Sequence, residues 1–159
     1  MLEPASGTSA RASPLPGVPR EGWERLARAL EVQGVGEVDE SGGLGAYALR
    51  PRRLVELGLA TGLRTERSPG GRQRHRCRLL PPLDRQLLMD PVLQRSALAM
   101  SLRLHLRDLA AGRLRRPEGL DIPAALAVLH RGGRGALEGW PEAFDDTKAL
   151  ARRARGAFR

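Results

Sequence analysis

Glu31-Val32-Gln33-Gly34-Val35-Gly36-Glu37-Val38-Asp39-Glu40-Ser41-Gly42-Gly43-Leu44-Gly45-Ala46-Tyr47-Ala48-Leu49-Arg50-Pro51, continued by Arg52-Arg53-Leu54-Val55-Glu56-Leu57-Gly58, is the stretch on which the fold turns. Just upstream, behind Pro19, Trp23, Leu26, Ala27 and Leu30 recur at helical spacing and predict an amphipathic helix with Glu31 in its last turn. Gly34 and Gly36 cannot comfortably continue that helix, so the chain leaves it just after Glu31. The glycine-rich run from Val35 to Tyr47 then predicts a short hairpin or irregular sheet. Pro51 suits the first turn of a second helix carrying Leu54, Val55 and Leu57, with Gly58 as its C-terminal stop. A carboxylate ending one helix, a glycine-rich turn region and a second helix, in that order, predict a partly buried acid facing a cleft.

Working outward, residues 1–19 are rich in Pro, Ser, Ala and Gly without a periodic apolar pattern, and read as a disordered arm or linker. Downstream, Leu59 to Leu80 holds Ser68-Pro69-Gly70-Gly71 between Arg-containing flanks, which predicts a turn or hairpin. Asp90 is placed to cap a helix and Pro91 to open it. In that helix Leu93, Ala97, Met100 and Leu104 mark one apolar face, and Leu98, Leu102, Leu106 and Leu109 a second. A helix apolar on two faces is expected to be central, with Arg103 and Arg107 reaching solvent. Gly112 ends it, Asp121 offers another cap, and Ile122 to Leu129 forms a short helix running into a Gly132 to Gly135 loop. A final basic helix is expected after Asp145-Asp146-Thr147. The predicted fold class is mainly α (α+β), with a small β hairpin, and residues 20–159 are expected to form one domain.

The formal net charge of +9 comes almost wholly from arginine, since Lys148 is the only lysine among 27 basic residues. Such an excess attracts polyanions: nucleic acid, an anionic membrane or the bacterial cell wall. Aromatic content is only 3%, so Leu, Val and Ala must build the core. Cys77 is the sole cysteine, which excludes an intramolecular disulfide and a cysteine-rich zinc site, and it is read as a small packing residue. The three histidines are dispersed without helical pairing, so no metal site and no cofactor is expected. No apolar run approaches a membrane span, and the N-terminus lacks a signal-peptide core. Action at the cell wall or periplasm would therefore need delivery by another route.

The layout resembles the lysozyme-like superfamily, of the soluble lytic transglycosylase and phage-tail lysozyme type. There a helix-terminal Glu is followed about a dozen residues later by a Gly-Ala-x-Gly-Leu-Met-Gln-Leu-x-Pro segment. Gly42 to Pro51 occupies that place here, with a one-residue deletion. Asp90-Pro91-Val92-Leu93-Gln94 is similar to the opening of the family's central helix. Leu126 to Leu137, with Trp140 behind it, resembles the family's Ala-Ala-Tyr-Asn-Ala-Gly-x-Gly motif with one insertion. Together these stretches span roughly residues 20–145.

The resemblance implies a peptidoglycan-cleaving enzyme acting on the β-1,4 glycosidic bond, with Glu31 as general acid. Cleavage needs a proton on the leaving oxygen, so the acid must stay protonated, and partial burial favours that form. In a lytic transglycosylase the same residue also acts as the base that completes an anhydro product. Glu40 is the rival candidate, because Glu40-Ser41-Gly42 is similar to the Glu-Ser-Gly of many transglycosylase sites. Only four residues separate it from Gly45, and Gly34 and Gly36 break the helix that should present it, so a polar turn is expected there. Glu37 and Asp39 are the available second carboxylates. Tyr47, Gly45, His130 and Gly132 are expected to line the substrate cleft. Two positions depart from the family: Ala48 stands where it has a substrate-contacting Gln, and His130 near its Asn.

Ala48 keeps open a catalytically inactive lysozyme-like domain, serving as a structural or wall-binding component. The family's attachment to phage tails, injection machines and secretion apparatus makes proteins of such assemblies expected partners beside peptidoglycan. A further alternative is a winged-helix DNA-binding protein. In it the helix from Pro51 would enter the major groove, and Arg64, Arg67, Arg72, Arg74, Arg76 and Arg78 would form a basic wing turning at Gly70-Gly71. Nucleic acid is a partner in this alternative alone.

Overall fold

The computed structural model describes residues 12–39, 42–67, 69–71, 73–83 and 89–159. Among them are five helices and one two-stranded antiparallel sheet, an α+β composition. In chain order these are α1 (Arg20–Ala29), α2 (Pro51–Glu56), β1 (Ala60–Arg67), β2 (Gln73–Leu79), α3 (Pro91–Ala110), α4 (Ile122–Glu138) and α5 (Asp145–Ala154). No helix among the described residues is long and apolar enough to cross a membrane. The chain divides into two compact units, residues 31–101 forming one and residues 1–30 with 102–159 the other.

In the unit built from the two chain ends, α1 buries Trp23, Leu26 and Ala27 on the face that their spacing predicts. Leu30 caps the helix and is fully buried, so Glu31 falls just outside α1 instead of in its last turn. Part of the expected N-terminal arm is built into this unit, because Leu15 is buried and its carbonyl accepts a hydrogen bond from Val18 N–H at 3.2 Å. Residues 1–11 lie outside the described residues. α4 starts as the Asp121 cap predicts: one carboxylate oxygen accepts from Ala124 N–H at 3.0 Å, and the other from Gly156 N–H at 2.8 Å. α4 and α5 pack together around Leu120, Ala124, Val128, Leu129, Leu137 and Ala151. Where a loop is expected after Leu129, helical structure runs on to Glu138 and is interrupted only at Gly133.

Just ahead of that interruption, Arg131 bridges to Asp146 at 2.7 Å, joining α4 to the first turn of α5. Burial pushes the Asp146 carboxyl up, but the Arg131 hydrogen bond and charge, with Thr147, outweigh it and hold the group below its ordinary value. A carboxyl depressed in the folded state contributes stability above its unfolded pKa and loses it as pH falls through the folded one. Asp146→Asn should therefore lower the stability at pH 7, by no more than about 1 kcal/mol because the pair is partly exposed. The gap between the two proteins should close on acidification, which thermal unfolding across a pH series would measure.

In the unit of residues 31–101, the glycine-rich stretch is irregular, as expected, with isolated bridges pairing Val38 with Leu44 and Leu44 with Leu49. Its arms are laced by main-chain bonds from Val32 N–H to Ala46 O at 2.8 Å and from Gly45 N–H to Glu37 O at 2.8 Å. The Gln33 amide donates to Gly43 O at 3.0 Å. α2 follows with Pro51 in its first turn and ends before Gly58, and it packs on both strands of the hairpin. β1 and β2 pair from Ala60 with Leu79 out to Arg67 with Gln73, with an irregularity between Thr61 and Arg64.

The fixed point of this unit is Gln94, in the first turns of α3 behind the Asp90 cap. It is 1% exposed, accepts from Ala46 N–H at 2.9 Å through Oε1, and donates to Val35 O at 2.7 Å through Nε2. The two arms of the glycine-rich stretch are thereby held on one side chain. Gly45 makes room for it: its φ is +74°, and a Cβ there would stand 2.6–2.8 Å from the Gln94 amide atoms. Gly45→Ala should cost about 2–4 kcal/mol, from the left-handed backbone and the displaced amide together, as read by denaturant unfolding.

Candidate functional site

The chain turns outward directly after α1. Leu30 takes the buried position and Glu31 and Val32 are exposed, which corrects the expectation of a partly buried acid. Directly after Leu30 the backbone is tied to the glycine-rich stretch by the bond from Val32 N–H to Ala46 O, and the Glu31 side chain is left exposed.

Tyr47 is 4% exposed and sits in the turn that closes the glycine-rich stretch. Its hydroxyl donates to Glu31 Oε1 at 3.5 Å and accepts from Arg95 Nε at 3.3 Å. Phenol, carboxylate and guanidinium thus come together from positions 31, 47 and 95. Arg95 is the residue that sequence reasoning missed. The signal for it was present, since it directly follows Gln94 in the stretch from Asp90 that the resemblance singles out, yet nothing in the spacing says that its side chain meets Tyr47.

The neighbouring carboxylates are engaged differently. Asp39 Oδ1 accepts from Gly43 N–H at 2.7 Å, which builds the turn before Leu44. Glu37 lies over Gly34, where a Cβ would come within 3.1 Å of its Oε1. Glu40 lies outside the described residues. Gly45 contributes close packing against Gln94, and its surroundings explain the glycine without any ligand.

Ala48 is buried and has a φ of +47°, unusual for a residue with a side chain. Its methyl group lies against Gly43, where a Cβ would come within 2.9 Å of it. No polar group stands at this position. His130 and Gly132 belong to α4 in the other unit, half-buried, with Gly132 backed by Ala136 and Thr147.

The basic hairpin is formed as its turn signal predicts, but the helix ahead of it spans only Pro51–Glu56, less than two turns and short for a groove-reading helix. Arg72 lies outside the described residues. Cys77, in β2, is half-buried, and burial pushes its thiol above the ordinary value, the opposite of what a reactive cysteine needs. Compared with protein-family models, with curated proteins and with solved structures, the chain has no match.

Proposed function

We propose that this chain is a lysozyme-like domain that cleaves the β-1,4 glycosidic bond of peptidoglycan, with Glu31 as the proton donor. The observation that carries this reading is the hydrogen bond from the Tyr47 hydroxyl to the Glu31 carboxylate, which joins the helix-end acid to the glycine-rich segment. A second point of support is that two of the stretches carrying the resemblance meet, residues 42–51 and 90–94, through Gln94 on Ala46 and Gly45.

In the proposed mechanism a glycan strand lies over Glu31 and displaces the water around it. Removing water from around a carboxyl group disfavours its charged form. Glu31 then protonates the glycosidic oxygen as the bond breaks. In a transglycosylase the resulting carboxylate takes the proton of the sugar 6-hydroxyl as the anhydro ring closes, and one acid–base residue suffices. In a hydrolase it activates water instead. Tyr47 orients the carboxylate, and Arg95 holds the Tyr47 hydroxyl.

The buried methyl of Ala48 favours a second reading, a wall-binding domain without turnover, because the family's polar contact to substrate is missing. Digestion of purified peptidoglycan followed by mass analysis of soluble fragments tests both. Anhydro ends would establish the transglycosylase reaction and reducing ends the hydrolase. Co-sedimentation with the wall and no released fragment would establish the binding domain.

A further inference from the structure

The hairpin carries a charge pattern that its own stability does not explain. Directly opposed residues of an antiparallel pair share a face, and every second residue along a strand returns to it. Arg64 stands opposite Arg76 and Glu66 opposite Arg74, so these four side chains share one face, and Arg78 joins them two residues beyond Arg76. Four arginines against one glutamate give that face three net positive charges. Arg76 bridges to Glu66 at 2.9 Å, with both side chains about half exposed. Like charges placed directly across a ladder are destabilising, and Arg64 with Arg76 is such a pair. Arg74 adds a second cost, since its Nε is buried with no hydrogen-bond partner among the described residues.

The ribbon is nevertheless firmly rooted. α2 packs on both strands, and Gly42, at φ +91°, lies so close to the His75 carbonyl that any Cβ would overlap it. Beyond the root, β1 is exposed from Gly62 through Arg67. This is a rooted two-stranded ribbon with a cationic face made of guanidinium groups, which pair bidentately with phosphate oxygens.

We infer that the Arg64–Arg74–Arg76–Arg78 face of the hairpin is a docking surface for the phosphate backbone of duplex nucleic acid. The major groove of B-form DNA, about 12 Å wide between two phosphate walls, admits a two-stranded β ribbon, and its phosphates complement the arginine face. Docking requires neither Glu31 nor a long recognition helix, and it is independent of wall cleavage.

The test is fluorescence anisotropy with a labelled duplex of mixed sequence over a salt series. It compares wild type, the triple variant R64Q/R76Q/R78Q, and a charge-matched control, R103Q/R115Q/R152Q, whose arginines are exposed and outside the hairpin. Removing one arginine–phosphate pairing flattens the plot of log affinity against log salt by about 0.9. The hairpin variant should therefore lose about 2.7 of slope, and bind about 10²–10³-fold more weakly at 0.1 M salt, while the control keeps most of the wild-type slope. The single variant R64Q removes the cross-strand repulsion, so its melting temperature should equal or exceed that of wild type while its slope falls by about 0.9. Equal losses in the hairpin variant and the control would overturn the proposal, as would an unchanged slope in R64Q. Tighter binding of a soluble glycerol-phosphate polymer than of the duplex at matched salt would overturn it as well.

Discussion

Glu31→Gln is expected to reduce the release of soluble fragments from purified peptidoglycan by about 10²–10⁴-fold, the usual worth of a positioned proton donor. Its melting temperature should match that of wild type. The side chain is exposed, and the amide oxygen of Gln accepts the Tyr47 hydroxyl hydrogen as the carboxylate does, so folding gives up little. The amide cannot donate an acidic proton to the leaving oxygen, so chemistry gives up nearly everything. Tyr47→Phe separates orientation from proton transfer: it should keep the reaction, at a rate reduced by about tenfold, the loss of one hydrogen bond. Glu40→Gln should have a smaller effect than Glu31→Gln. A fully active, folded Glu31→Gln protein would remove the mechanism.

Gln94→Leu is expected to destabilise the protein by about 3–5 kcal/mol, because it strips partners from two backbone groups at once. Leucine is close to glutamine in volume, so a cavity contributes little. The cost comes from Ala46 N–H and Val35 C=O, both of which lose the side-chain atoms that satisfy them. A buried backbone group left unpaired costs about 1–3 kcal/mol, and here there are two. Gln94→Glu is the companion variant: it retains an acceptor for Ala46 N–H but removes the donor to Val35 C=O and brings an uncompensated charge into a buried position. It should be no more stable than Gln94→Leu. Urea unfolding of the three proteins checks the order. If Gln94→Leu unfolds within about 1 kcal/mol of wild type, the two arms of the glycine-rich stretch are held by something other than this side chain.

The packing of Gln94 on Gly45 also shows why part of the candidate site escaped the sequence. Gly45 reads there as one glycine among several in a turn region, and the resemblance placed it in a substrate cleft. Its tertiary partner is an amide that arrives from α3, and the neighbouring Ala46 is 48 positions from Gln94 along the chain. The burial line of α3 was legible only in its apolar half, Ala97, Leu98 and Leu102, for a related reason. Apolar spacing picks out Leu93, Ala97, Met100 and Leu104 as one face, yet of these only Ala97 is buried, Leu93 and Leu104 being half-buried and Met100 exposed. The line that is buried runs through Gln94, Ala97, Leu98, Ser101, Leu102 and His105, and three of those six residues are polar. A pattern search keyed to hydrophobicity skips them, although a polar group is stable inside once it is hydrogen-bonded.

What the sequence determined by itself is the punctuation of the chain. Pro51 opening α2 and Gly58 following it, Asp90 ahead of α3, Asp121 capping α4, and the turn between β1 and β2 all stand where local composition predicts. Each depends on interactions within about four residues, so the residues that encode them are neighbours in the chain. Tertiary structure alone decided that Leu30 and not Glu31 is buried, that Arg95 meets Tyr47, and that four arginines of the hairpin share one face. Those outcomes turn on which distant segment supplies the next atom, and on a strand register fixed by pairing across the sheet.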